Sequence, residues 1–439
     1  MIPLPALDEQ SETPLYRQLF DAIRVAIRDG VLPPGHRLPP TRELAGSLSL
    51  NRTTVSAAYE LLDQAGLIRS HVGRGSFVAE PSSSPISFAT SRPLDELFPL
   101  DEFRATVREV MADASIASIL QLGAPHGYAP LRRYLGASET EDVLVTNGCQ
   151  QALDLIQRVL APLGTAVMVE DPTYPGLKNV FERGGVRLIP LPRWEPGARL
   201  AIVTPNFQNP TGHTMSMAER QQLLREAREQ GVTLIEIDIY SALRYQGDAL
   251  PSLAELDDTG SVLQIGSFSK VSFPGLRIGW VKGRRDLIAR LAEAKQWTDL
   301  HTDQLSQAIV LRFAESGRLE AHRQKVIATG REQLAAVASA LDREMPHGTS
   351  FTRPDGGMNL WVRLPAPLDA AALLPEAQRV GVNYLPARYF AVSRPEPGAF
   401  RLSFGGLTPE RISAGVALLG EVFRRESPDV HPELLTAMV

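Results

Sequence analysis

Ser267-Phe268-Ser269-Lys270 is followed by Arg277 in the run Pro274-Gly275-Leu276-Arg277. A lysine taken by itself is usually a solvated charge. Here the apolar run 262–265 reads as a buried strand, so Lys270 leaves a strand end between hydroxyls and ahead of a second cation. Hydroxyls with an arginine suit a phosphate, which a guanidinium meets with two parallel charged hydrogen bonds. An amine crowded by another cation gives up its proton readily and attacks aldehydes. The combination asks for an aldehyde that carries a phosphate.

The elements that must position this chemistry read as an α/β sheet. Apolar runs at 143–145, 165–169, 200–203, 233–237, 262–265 and 278–281 alternate with helical patterns, the signature of a mostly parallel sheet covered on both faces. Ligands of such sheets sit in the loops after the strands. Those loops carry Gly148-Cys149-Gln150 at a helix start, whose free amides attract phosphate. They also carry Tyr174, where a ring can stack, Asn209 in Asn209-Pro210-Thr211-Gly212, and Asp238 with Tyr240. Each has an ordinary reading too. Many helices open on glycine, Tyr174 can simply pack, and an acid at a strand end is often a cap or an ion pair. A buried acid is expensive unless paired, and a protonated pyridine nitrogen is one fitting partner for Asp238. From about residue 297, long helical patterns lead into strands near 358–364, 383–385 and 400–404, a small α+β lobe that carries Arg401.

The chain has 439 residues, enough for two or three domains, with 44% hydrophobic and 22% charged residues. Its single cysteine excludes an internal disulfide and a zinc-type cluster, and no metal is expected. No basic-then-apolar leader stands at 1–10 and no apolar run approaches ~18 residues, so a cytoplasmic protein without a membrane partner is expected. A net charge of −5 places any nucleic-acid activity on a local surface.

Residues 14–80 read as a separate module. Leu15, Leu19, Ile23 and Ile27 mark one helix face, a second short helix begins at Thr41 as N-cap, and Asn51 caps a third. Two short helices joined by a tight turn make a helix-turn-helix, and strands at 67–69 and 76–78 form a wing around Gly73-Arg74-Gly75. Spacing alone fits equally well a three-helix core with no DNA role. Between residues 11 and 80 stand eight arginines, no lysine and seven acids, a net charge of +1, so tight DNA binding calls for a dimer.

Leu15-Tyr16-x-Gln18-Leu19, Gly35-x-x-Leu38-Pro39, Arg42-Glu43-Leu44-Ala45 and Arg52-Thr53-Thr54-Val55 resemble the winged helix of GntR-type regulators. The resemblance implies that Arg42, Arg52, Thr53 and Thr54 approach DNA, with Gly73 and Arg74 at the wing. The ordered series from Gly148-x-Gln150 through Arg277 is similar to fold-type I aminotransferases over roughly 95–425. The two together resemble the MocR/GabR-type subfamily of GntR regulators. The implied cofactor is pyridoxal 5'-phosphate. Lys270 would hold it as an internal aldimine, Asp238 would meet the pyridine nitrogen, and Asn209 and Tyr240 would hold the ring hydroxyl. Tyr174 would stack on the ring, and Gly148, Cys149, Gln150, Ser267, Ser269 and Arg277 would surround the phosphate. Arg401 would take a substrate carboxylate.

The expectation is therefore a winged-helix DNA-binding domain at 11–80, a linker at 81–94 and an aminotransferase-like domain at 95–435. Such a chain would be a head-to-tail homodimeric regulator on a double-stranded operator, sensing a small amino compound through an external aldimine. A working aminotransferase with an accessory winged helix and a sensor of the cofactor itself are the alternatives. Three departures from the pattern stand out: Leu122 where a Tyr is common, Asn359 where a His is frequent, and a short stretch between 131 and 143.

Overall fold

The computed structural model describes residues 11, 13–28, 30–64, 67–71, 75–78 and 85–427. The chain divides into two compact units between residues 84 and 85.

In the first unit, α1 (Leu15–Arg28), α2 (Thr41–Ser47) and α3 (Arg52–Gln64) precede the hairpin of β1 (Ile68–His71) and β2 (Gly75–Val78). Leu19, Ile23, Leu44, Val55, Leu62, Ile68 and Val78 form its core, so the four-residue spacing in α1 is the buried stripe. Asn51 caps α3 as expected, its Oδ1 accepting from Thr53 N at 3.0 Å. Thr41 does not cap α2. It is the first helical residue, behind Pro40, and no side-chain cap bond forms. The segment before α2 also joins the wing: Val78 N donates to His36 O at 2.8 Å and Leu38 N to Ser76 O at 2.9 Å. Gly73 and Arg74 lie outside the described residues.

The second unit is built on a seven-stranded sheet. Its strands are β4 (Glu141–Asn147), β5 (Ala166–Val169), β6 (Arg187–Pro190), β7 (Leu200–Val203), β8 (Thr233–Asp238), β9 (Val262–Ser267) and β10 (Ile278–Arg284). They lie in the order β4-β10-β9-β8-β7-β5-β6. Only β10 runs antiparallel, to both neighbours. β6 escapes a reading by apolar runs because it is an edge strand that opens on exposed Arg187 and closes on Pro190. The stretch between 131 and 143 begins in a helix, Ala129–Tyr134, and leads into β4.

The small lobe holds β11 (Ser350–Phe351), β12 (Asn359–Arg363), β14 (Leu385–Pro386) and β15 (Ala399–Ser403) in one antiparallel sheet. The single strand expected at 383–385 is two. β13 (Val382–Asn383) pairs in parallel with β3 (Ile86–Ser87), and the chain changes sheets at fully buried Tyr384, whose hydroxyl donates to Ala370 O at 2.7 Å.

That pairing corrects the expected boundary. Residues 85–94, read as linker, belong to the second unit: β3 is pinned to β13, Phe88 is fully buried, and its amide donates to Asn383 O at 2.8 Å. Phe88→Ala is expected to lower the stability of this unit by ~3–5 kcal/mol, the cost of an aromatic deleted from a packed core. Chemical denaturation followed by tryptophan fluorescence measures it, and a loss under ~1 kcal/mol would return the segment to a linker.

Candidate cofactor site

Strand ends, the small lobe and the segment after β3 converge on a cavity of about 420 Å³. Its lining includes Cys149, Gln150, Tyr174, Asn209, Tyr240, Ser267, Ser269, Lys270, Arg277 and Arg401. The loops expected to share a ligand therefore do meet, although they span some 250 residues of chain.

Lys270 leaves the end of β9 and donates from Nζ to Ser91 O at 2.6 Å, with its nitrogen 5.7 Å from the centre of the Tyr240 ring. Ser267 Oγ donates to Ser269 Oγ at 2.9 Å and accepts from Ser269 N at 3.1 Å, so the two hydroxyls are held as a pair. Opposite them, the helix Cys149–Leu160 opens behind Gly148. Gly148 has φ 77°, and a Cβ there would stand 2.4 Å from an Arg277 guanidinium nitrogen. Only glycine allows the guanidinium to lie against that helix start. Two hydroxyls, a guanidinium and free helix amides form a cradle for a dianion. Cys149 adds no reactive thiol, since burial pushes its pKa up to about 12.

Arg401 stands on β15 with 4% exposure. One guanidinium nitrogen donates to Asn209 Oδ1 at 3.0 Å and another to Ala89 O, while Nε has no partner. Burial lowers its pKa to about 10. Among the described residues no carboxylate faces it. Tyr240 is nearly fully buried, and its hydroxyl accepts from Asn359 Nδ2 at 3.4 Å. Asn359 in turn accepts from Ser91 Oγ at 2.5 Å, so Asn359 ties the tyrosine to the residue whose carbonyl holds Lys270. Tyr174 donates to Gln150 Oε1 at 3.4 Å across the mouth.

Asp238 does not join this set. It lies on the opposite face of β8 and lines a separate cavity with Asn206, Ser241, Gln264 and Lys282. One of its oxygens is buried without a partner, and burial raises its pKa while bonds from Ser241 pull it back. The residue that β8 turns into the main cavity is Ile237. Ala89, Thr90, Ser91, Thr204 and Leu385 also line the cavity and were missed. For 89–91 a signal existed in the alternation Ile86-x-Phe88, hidden within a proline- and serine-rich stretch.

In the first unit, Arg42, Arg52 and Thr53 are exposed and Thr54 is half-buried. Thr53 Oγ1 already donates to Asn51 Oδ1 at 2.9 Å, so its hydroxyl serves the start of α3. Among the described residues no metal-binding group occurs, and no helix is long and apolar enough to cross a membrane.

Residues 107–419 match the aminotransferase class I and II family, and residues 15–78 match the gntR family of bacterial regulatory proteins. The chain is 29% identical to the probable rhizopine catabolism regulatory protein MocR of Rhizobium meliloti, covering 95% of both chains. It is 32% identical to aromatic-amino-acid aminotransferase 1 of Thermococcus litoralis, over 79% of this chain and 89% of that one. LysN, the α-aminoadipate aminotransferase of Thermus thermophilus solved with N-(5'-phosphopyridoxyl)-L-leucine, is 34% identical, with a TM-score of 0.73 over 83% of this chain and 97% of that one.

The cofactor these comparisons indicate is pyridoxal 5'-phosphate, and the cavity fits it by its lysine, its anion cradle and its flanking aromatics. The one misfit is the side expected to hold an acid. Gly148→Ala should keep the fold and weaken cofactor binding by at least about tenfold, or ~1.4 kcal/mol. Fluorescence titration of the apo-protein with pyridoxal phosphate reads this out, and unchanged affinity would remove Gly148 and Arg277 from the cradle.

Proposed function

The chain belongs to the MocR-type subfamily of GntR regulators, a GntR winged helix joined to an aminotransferase class I and II domain, and from that premise we propose that it is a cytoplasmic, pyridoxal phosphate-dependent regulator that senses a small carboxylate-bearing amine. The observation that carries the reading is Arg401, a buried guanidinium with an unpartnered Nε and no carboxylate, opening into the same cavity as Lys270. An amine-reactive carbonyl beside a guanidinium that has no carboxylate partner selects ligands that carry both an amine and a carboxylate. When bound, the cofactor would supply an aldehyde carbon reactive towards the Lys270 amine and towards a ligand amine.

The chain's own residues do the rest. Arg401 would orient the carboxylate, Tyr174 would cover the ring, and the Lys270 amine, when not joined to the cofactor, would rest on the Ser91 carbonyl that accepts from it here. The segment carrying Ala89 and Ser91 would thereby feel ligand occupancy at both carbonyls. Regulation follows only if the ligand's binding energy differs between two arrangements of the protein. A second copy is expected to complete the assembly head to tail. Leu120, Leu122, Trp297 and Leu300 are exposed apolar side chains, and their two segments are joined by Gln304, which donates to Gln121 O at 2.9 Å. Arg52 on α3 and Arg42 on α2 are the residues proposed to meet operator DNA. The match to an aromatic-amino-acid aminotransferase favours a second reading, a working enzyme with an accessory winged helix.

Gel-shift binding to DNA upstream of its own gene, with and without pyridoxal phosphate and a panel of amino acids, tests the reading. Binding should respond to at least one amino acid in the loaded protein. Arg52→Ala should abolish binding and leave the visible cofactor band unchanged. Lys270→Ala should lose that band and borohydride trapping while keeping the fold. Steady release of keto acids with no DNA binding in any state would transfer the reading to the enzyme.

A further inference from the structure

The floor of the cavity is set by the two-residue period of β8. Ile235 and Ile237 pack on the side of the sheet covered by the helix Cys149–Leu160. Leu234 packs on the other side. Glu236 shares that other side: it is fully buried, and its carboxylate accepts from Leu253 N at 3.0 Å and Ala254 N at 3.1 Å. Asp238 has the same parity as Glu236, and a strand cannot turn two neighbouring side chains to one face. The cavity wall formed by β7 and β8 is therefore Thr204, Ile237 and Ile239. Among the described residues no aspartate or glutamate lines the cavity, whereas Lys270, Arg277 and Arg401 all do.

A pyridine ring bound there meets hydroxyls, amides, apolar side chains and the cations Arg277 and Arg401. Gaining a proton on its nitrogen would place a positive charge against the buried Ile237, with no carboxylate in the cavity lining to pair with it. We propose that Ile237 makes this a cavity in which the cofactor's ring nitrogen stays unprotonated, so that the site captures amines without performing amino transfer. The inference rests on the regulator reading above and deepens it. Amino transfer requires the carbon bearing the amine to lose its proton while the electron pair left behind withdraws towards the ring, and a protonated ring nitrogen is what accepts it. A neutral nitrogen accepts it poorly. The exchange of one amine for another at the aldehyde carbon needs no such withdrawal and remains open.

The test is the ¹⁵N chemical shift of the ring nitrogen in the full chain loaded with ¹⁵N-labelled pyridoxal phosphate. The expected shift is that of a neutral pyridine between pH 6 and 8 (about the working range, where a free histidine titrates). A pyridinium shift in that range overturns the inference. The companion variant is Ile237→Asp, with conversion of bound cofactor to pyridoxamine phosphate followed during incubation with 2-aminoadipate and aromatic amino acids. It should move the shift to that of a pyridinium and raise conversion by ~100-fold, the scale of one well-placed electrostatic partner. Wild-type conversion as fast as the variant's overturns the inference as well. Should the variant fail to fold, the wild-type shift still decides.

Failure of the regulator reading looks different. In that case no amino acid changes DNA binding or the cofactor band, whatever the ring nitrogen reports. A pyridinium shift with amino acid-dependent DNA binding sinks only the inference, and failure to load the cofactor at all sinks both.

Discussion

Three cations share one cavity with no carboxylate among its lining residues, and the rest of the second unit is arranged to make that tolerable. Lys270 rests on Ser91 O, Arg401 on Ala89 O and Asn209 Oδ1, and Arg277 makes long contacts of 3.4 Å to Asn147 O and Pro274 O. Like charges gathered in one cavity repel, least at the exposed Arg277 and most at the buried Arg401, and carbonyl dipoles offset only part of that. Burial already draws the Arg401 pKa down to about 10. On the proposed reading such a site would be completed by anions, a phosphate and a carboxylate. Ala89 and Ser91 can offer their carbonyls only because β3 is paired to β13 and Phe88 is sunk in the core.

How much of this was legible follows from how local each signal is. A buried strand advertises itself as an apolar run, and β7 spans the residues so read. The small-lobe strand at 383–385 did not survive as one element, because its residues alternate between two sheets whose other strands lie far away in sequence. The segment 85–91 was misread for the same reason. Its partners are Asn383, Arg401 and Asn359, some three hundred residues downstream, while its own composition is that of a tether. The cation set and the glycine turn were readable, since Lys270, Arg277 and Gly148 announce themselves by type and spacing. The carbonyls that hold the cations belong to residues of no particular type.

β8 shows a sharper limit. An acid at the end of an apolar run, two residues before a tyrosine, is the natural candidate for a buried nitrogen partner. Position along a strand nevertheless says nothing of face until a neighbour's orientation is known. Glu236, tied to the amides of Leu253 and Ala254, fixes the parity and carries Asp238 away from the cavity. A shift of one position separates an acid beside the ligand from an isoleucine beside it. The chemistry turns on that one residue.

The same isoleucine bears on why a winged helix is attached to this fold. A sensor must hold its ligand long enough for bound and free states to differ at the DNA, and a site that consumed its ligand would report passage instead of presence. Retaining Lys270, the phosphate cradle and Arg401 keeps the capacity to capture an amine. Withholding a carboxylate from the ring removes the electron sink that would turn capture into turnover. The winged helix contributes a net charge of only +1 across 11–80, with the Thr53 hydroxyl spent on its own helix start, so a single copy is expected to hold DNA weakly. Weak single-site binding suits a switch, because occupancy by a dimer then depends steeply on how two copies are spaced. A ligand that alters that spacing by even a modest binding-energy difference changes the outcome at the operator.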